Sequence, residues 1–168
     1  MVLKRRRTVN CRLYRLVGLL VTLIPAKAFA VVCGTALSPI SVSATAVNFG
    51  TYDPLSPSPV HTDGTIVVAC ELNIDVLPAF NVSLSHGAAN RFAPRTLSFG
   101  TSTLNYNLYT KASHTTIWGD GTGDTETRTY DGLLVFGHVE FTIYGQLPPG
   151  QFTNAGTYTD TIIITIEY

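Results

Sequence analysis

Phe80-Asn81-Val82-Ser83-Leu84-Ser85 alternates apolar and polar side chains with a period of two. Successive side chains of a β-strand point to opposite faces, so this period puts Phe80, Val82 and Leu84 on one buried face. A helix would need apolar residues three and four apart, and no window of the chain offers a convincing face of that kind. The same alternation recurs at Ile40, Val42 and Ala44, at Leu104, Tyr106 and Leu108, at Val139, Phe141 and Ile143, and at Ile162, Ile164, Ile166 and Tyr168. Ile66-Val67-Val68-Ala69-Cys70 is a continuous apolar run and reads as a further strand. Turn formers separate these stretches: Asp53-Pro54-Leu55-Ser56-Pro57-Ser58-Pro59, Asp63-Gly64, His86-Gly87, and Pro148-Pro149-Gly150. Asp120-Gly121-Thr122-Gly123-Asp124 reads as a solvated hairpin. Many short strands divided by turns predict an all-β sandwich or barrel.

Ahead of the strands lies a segment of another kind. Lys4-Arg5-Arg6-Arg7 is a basic cluster, Leu16-Val17-Gly18-Leu19-Leu20-Val21-Thr22-Leu23-Ile24 an apolar stretch, and Ala28-Phe29-Ala30 a small-x-small cleavage pattern. Residues 1–30 are therefore expected to be a signal peptide, cut after Ala30. Nine residues of helix reach about 14 Å, too short for a hydrocarbon core of ~30 Å, so a membrane anchor is not expected. The remaining residues 31–168 suffice for a single domain.

The whole chain carries 11 basic and 11 acidic residues, but seven of the basic ones fall within residues 1–30. From residue 31 onward the balance is 4 − 11 = −7. A domain of that charge lacks the clustered Lys and Arg that neutralise phosphates, which sets nucleic acid aside. Export also makes sense of the cysteines. Cys33 and Cys70 remain after cleavage, and in an oxidising compartment a disulfide is the simplest reading of such a pair. The bridge would close a loop of 38 residues, worth roughly 4 kcal/mol of unfolded-state entropy. The competing reading, a metal site, needs more ligands at short spacing, whereas His61, His86, His114 and His138 are scattered. No metal and no cofactor is expected.

Catalytic signatures are missing from the sequence: there is no Gly-x-Ser-x-Gly elbow, no phosphate-cradling glycine loop and no His-Glu-x-x-His. Asp120, Asp124 and Glu126 lack the residue order of a calcium loop. Asp53 and Asp63 flank the proline-rich loop, where turn and capping roles are expected before glycoside cleavage. Trp118 suits either a sugar-stacking platform or the core, and a lone Trp in an all-β domain favours the core. An enzyme is not expected.

A longer pattern resembles a family. Cys33 is followed by Val47-Asn48-Phe49-Gly50-Thr51-Tyr52-Asp53-Pro54 and by Gly64-Thr65-Ile66-Val67-Val68-Ala69-Cys70. Then come Leu104-Asn105-Tyr106-Asn107-Leu108-Tyr109, Ile117-Trp118-Gly119-Asp120-Gly121, Tyr144-Gly145-Gln146-Leu147-Pro148, and Ala155-Gly156-Thr157-Tyr158-Thr159-Asp160-Thr161. Together they resemble the spore coat protein U domain, shared with pilins of archaic chaperone–usher pili, across essentially all of residues 31–168. The resemblance implies an immunoglobulin-like sandwich that is incomplete, lacking one strand. It further implies a periplasmic chaperone that fills the groove, an outer-membrane usher, and other pilin subunits that donate the replacing strand.

Such a domain exposes an apolar groove and an unpaired edge. The expected groove residues are Ile40, Val42 and Ala44 on an early strand and Ile162, Ile164, Ile166 and Tyr168 on the last. After cleavage only Val31 and Val32 precede Cys33, whereas a donor strand needs roughly seven residues. The chain is thus expected to accept a strand without donating one, as a tip-like or minor subunit with a role in adhesion or biofilm formation. Leu55, Val60, Phe92 and Trp118 are the expected adhesive loop positions. Two other classes stand beside this one: a self-folding secreted coat or matrix protein, and an exported carbohydrate-binding module or hydrolase. For all three the location is outside the cytoplasm, in the periplasm in transit and then at the cell surface. Replacing Cys70 by Ser is expected to destabilise the exported domain by about 2–5 kcal/mol and lower its periplasmic yield. Thiol titration of the native protein checks the pairing, since free thiols would contradict it.

Overall fold

The computed structural model describes residues 33, 39–70, 78–132 and 137–168, together with the backbone of residues 2–5. Its strands are β1 (Val2–Arg5), β2 (Ile40–Ala44), β3 (Val60–Cys70), β4 (Phe80–Leu84), β5 (Arg95–Phe99), β6 (Ser102–Tyr109), β7 (Ile117–Trp118), β8 (Thr125–Glu126), β9 (Arg128–Tyr130), β10 (His138–Leu147) and β11 (Ile163–Glu167). Among the described residues a single 3-10 turn, Gly87–Ala89, is the one helical element, and no helix is long and apolar enough to cross a membrane. The chain is all-β.

The strands form two sheets, ordered β1-β11-β4-β9 and β2-β3-β10-β6-β7-β8, with β5 paired to β6. The long β3–β10 ladder runs antiparallel from Val60 opposite Leu147 to Ala69 opposite His138. Alternation along it sets one face inward: Ile66, Val68 and Cys70 on β3, and Phe141, Ile143 and Leu147 on β10, are buried. Phe80, Val82 and Leu84 of β4, with Ile164 and Ile166 of β11, supply the opposing face. The two layers make an immunoglobulin-like sandwich with one shared core. Cys33 and Cys70 are disulfide-bonded and buried, their Cα atoms 5.7 Å apart. Cys70 stands opposite Ile40 on β2, so the bridge secures the start of the fold to the end of β3.

On one side the sheets are tied by polar groups inside the core. Trp118, fully buried, donates from Nε1 to the Val82 carbonyl across the interlayer at 3.0 Å, and Leu84 N–H donates to the Gly119 carbonyl at 3.0 Å. Trp118 also packs edge-to-face on Phe141. Beside it the Arg95 guanidinium is buried, and among the described residues no carboxylate hydrogen-bonds to it. It donates to the carbonyls of Ser85 (3.1 and 2.9 Å) and Trp118 (2.7 Å) and to Asn107 Oδ1 (2.7 Å), and lies over the Phe92 ring. Burial pulls its pKa down to about 10, with Tyr106, Asp160 and Asp120 opposing the shift, so it stays charged at neutral pH.

Two expectations are corrected. Trp118 is no adhesive contact, because its indole is enclosed by both layers and its N–H is spent on Val82. Residues 117–126 do not form a hairpin: Ile117 and Trp118 pair in parallel with Thr125 and Glu126. The loop between coils because Asp120 Oδ1 accepts from both the backbone and the hydroxyl of Thr122, while Gly121 N–H donates to Thr125 Oγ1. Of the expected leader only β1 lies among the described residues; the apolar stretch and the cleavage pattern fall outside them.

Replacing Arg95 by Met should take the guanidinium donors from the Ser85 and Trp118 carbonyls, while Asn107 Oδ1 keeps its bond from Leu108 N–H, at a cost of about 3 kcal/mol. Replacing it by Lys should recover little, since one ammonium cannot span three acceptors. The urea midpoints of the two variants check this.

Candidate functional site

A cleft of about 860 Å³ opens between residues 46–54, which continue from β2, and residues 151–162, which lead into β11. Its floor is apolar core: Leu104, Tyr106 and Leu108 of β6, with Ile143 and Leu147 of β10. Both walls are held by specific chemistry.

The first wall sits in a trough made by two glycines. Gly64 of β3 and Gly145 of β10 face inward, and a Cβ on Gly145 would stand 2.6 Å from Val47 Cγ1 and 3.1 Å from Phe49 Cζ. A Cβ on Gly64 would stand 2.8 Å from Val47 Cγ2. The missing side chains thus make room for Val47 and Phe49, and Phe49 reaches the Tyr106 ring edge-on at 5.8 Å. Further on, Tyr52 donates to the Pro148 carbonyl at 3.0 Å and accepts from Gln151 N–H at 2.9 Å, which pins the wall to the turn after β10.

The second wall hangs on Asp160. Its Oδ2 accepts from the Tyr106 hydroxyl at 2.7 Å, and its Oδ1 from Ala88 N–H at 2.9 Å and Thr161 N–H at 2.7 Å. Gly87, at φ +68°, gives this carboxylate its room: a Cβ there would overlap it. Burial, and then the bond to Asp160, push the Tyr106 hydroxyl far above the ordinary phenol value, so it serves as a fixed donor. Thr159 and Ser98 exchange two backbone hydrogen bonds, which joins the wall to β5. The site presents an apolar floor, and among the described residues that line it no set of catalytic groups converges. Asp53 accepts from Leu55 N–H as a turn residue, and Asp120 does likewise with Thr122.

Of the residues expected to line a groove, Ile162 lines this cleft. Ile164 and Ile166 continue its row along β11 and are buried, while Tyr168 lies exposed past the end of that strand. Ile40, Val42 and Ala44 stand in the other sheet, opposite Cys70, Val68 and Ile66 of β3, and burial falls along them from Ile40 to the exposed Ala44. Val47, Phe49, Tyr52 and the β6 residues were not among the expected groove positions. The Asn48-Phe49-Gly50-Thr51-Tyr52 segment carries too few alternating positions to read as a strand, and its role depends on the two distant glycines. Among the expected adhesive positions, Leu55 is 78% exposed. Val60 is half-buried against the core, and Phe92 is half-buried beneath Arg95. Phe152, 75% exposed, was not anticipated.

The edge of β11 completes the picture. Val2–Arg5 pair with it in parallel, from Val2 opposite Ile163 to Arg5 opposite Ile166, while β4 pairs antiparallel on the other side. The outer edge of β11 therefore accepts a parallel strand.

Comparison with known proteins shows what the chain is similar to. Residues 27–165 match the model of the Spore Coat Protein U domain. Protein U of Myxococcus xanthus is 31% identical over 134 residues, an alignment covering 73% of this chain and 71% of that protein. The fold is similar to that in the crystal structure of the CsuC–CsuE chaperone–tip adhesion subunit pre-assembly complex from the archaic chaperone–usher Csu pili of Acinetobacter baumannii, with a TM-score of 0.55 and 23% identity. That match covers 80% of this chain and only 40% of the solved one.

Replacing Gly145 by Ala should drive Val47 and Phe49 off the trough at a cost of about 1–3 kcal/mol, measurable as a lower urea midpoint at unchanged m-value.

Proposed function

Because the chain belongs to the Spore Coat Protein U domain family, we propose that it is an exported structural subunit of a surface fibre, its sandwich completed by a strand from another protein. The observation that carries this reading is the seam itself: a β11 edge that accepts a parallel strand, alongside a cleft floored by Leu104, Tyr106, Leu108, Ile143 and Leu147. The strand now on that edge comes from the segment that reads as a leader. Cleavage after Ala30 removes β1 and leaves the N–H and C=O groups of β11 unpaired, an aggregation hazard until another strand arrives.

In the cell that strand comes first from a periplasmic chaperone and then from a neighbouring subunit, delivered through an outer-membrane usher. The fold shared with a chaperone-bound pilus subunit supports this order of events. The role is structural and not catalytic. A chain cut after Ala30 keeps two residues ahead of Cys33 and so accepts without donating, which suits the tip or a minor position. There the exposed Leu55, in its proline-rich loop, is the adhesive contact.

The test is thermal unfolding of residues 31–168, alone and with a peptide of alternating apolar residues copied from the amino terminus of a neighbouring subunit. A midpoint that climbs with peptide concentration is the expected result, as binding to the native state requires. A high midpoint indifferent to peptide in a monomer would overturn the reading in favour of a self-folding coat protein.

A further inference from the structure

Four histidines scattered through the sequence give no metal-binding pattern, yet the fold brings two of them together. His61 projects from the exposed face of β3, and His114 is folded back over that face by the loop between β6 and β7. Two backbone bonds shape the loop: Thr110 N–H to the Thr116 carbonyl and His114 N–H to the Lys111 carbonyl, both at 3.0 Å. His114 itself adopts φ +52°, a conformation that a side chain other than glycine rarely takes up without compensating contacts.

His61 Nδ1 and His114 Nε2 stand 3.1 Å apart, a hydrogen bond in which the ring whose tautomer carries the proton there is the donor. The ring centroids are only 4.3 Å apart, at a tilt of 47°, so the imidazoles lie alongside one another and not end to end. Tyr109 and Tyr144, opposite each other on β6 and β10, flank His114 with ring centroids at 5.3 and 6.4 Å. Asp63 stands opposite Tyr144 on the far side.

We propose that His61 Nδ1 and His114 Nε2 form a surface chelate for a divalent transition-metal ion of the Cu²⁺ or Zn²⁺ class. Imidazole nitrogen is the donor these ions favour. Two nitrogens each about 2.0–2.1 Å from one metal are about 2.9 Å apart at a right angle and about 3.3 Å apart at the tetrahedral angle; the observed separation falls between.

Among the described residues no third His, Cys, Asp or Glu joins the pair within metal reach. Water completes the coordination, and the ion clamps the 110–116 loop to β3.

The test is titration of the exported chain, purified without a histidine tag, with CuSO₄ under electron paramagnetic resonance. One equivalent of Cu²⁺ in a two-nitrogen environment is expected. His61→Ala and His114→Ala should each weaken it about tenfold or more, since either leaves a single monodentate ligand; His138→Ala should change nothing. A parallel Zn²⁺ titration of the wild-type chain by NMR removes any dependence on how the variants fold: the ring resonances of His61 and His114 should move, and those of His86 and His138 should not. Absence of saturable binding, binding that survives both substitutions, or shifts spread over all four rings would each overturn the proposal.

Discussion

A guanidinium buried between two sheets decides which side of this sandwich closes. Arg95 gives its donors to Ser85, Trp118 and Asn107, and Trp118 passes the connection on to Val82 in the opposite sheet. Each acceptor is a group whose burial without a donor would be costly, so the layers separate here only by stranding several of them at once. Hydrophobic burial alone is non-directional and would hold the sheets together equally well in neighbouring registers. The forked geometry of Arg95 and the single N–H of Trp118 select one.

With that side fixed, the opposite side takes its form from two walls. Val47 and Phe49 lie in the space that Gly64 and Gly145 leave open, while Asp160 holds the approach to β11 against Tyr106 and the turn at Gly87. Gln151 N–H joins the two walls at one end by its bond to Tyr52, and beyond that tie the cleft opens over the apolar floor. The strand that now lies along β11 runs parallel to it from Ile163 onward, and Ile162, the residue before, lines this opening. An edge and an apolar cleft side by side match what an added strand supplies: backbone hydrogen bonds along one rim and alternate side chains into the core.

Much of this was legible in advance because a strand's period is a local property. Phe80, Val82 and Leu84, or Phe141 and Ile143, announce their buried face by spacing alone, and the structure buries them. Residues whose role depends on distant neighbours were read less well. The aspartate and glycines at 120–124 suited a hairpin, yet side-chain bonds from Asp120 and Thr125 coil the loop into a parallel pairing. Arg95 stood out in no pattern, since a lone arginine in a strand reads as solvent-facing unless the three acceptors around it are known.

The sequence by itself determined the all-β class, the buried faces of the main strands, the cysteine pair and the family pattern, because alternation, turn chemistry and cysteine number are written in contiguous or counted residues. Only the tertiary structure decided that Trp118 belongs to the core, that Gly64 and Gly145 form one trough, that Asp160 anchors a wall, and that His61 meets His114. Each of these joins residues from separate strands or loops, and such a meeting is set by sheet register and the packing of two layers, quantities that no local spacing encodes.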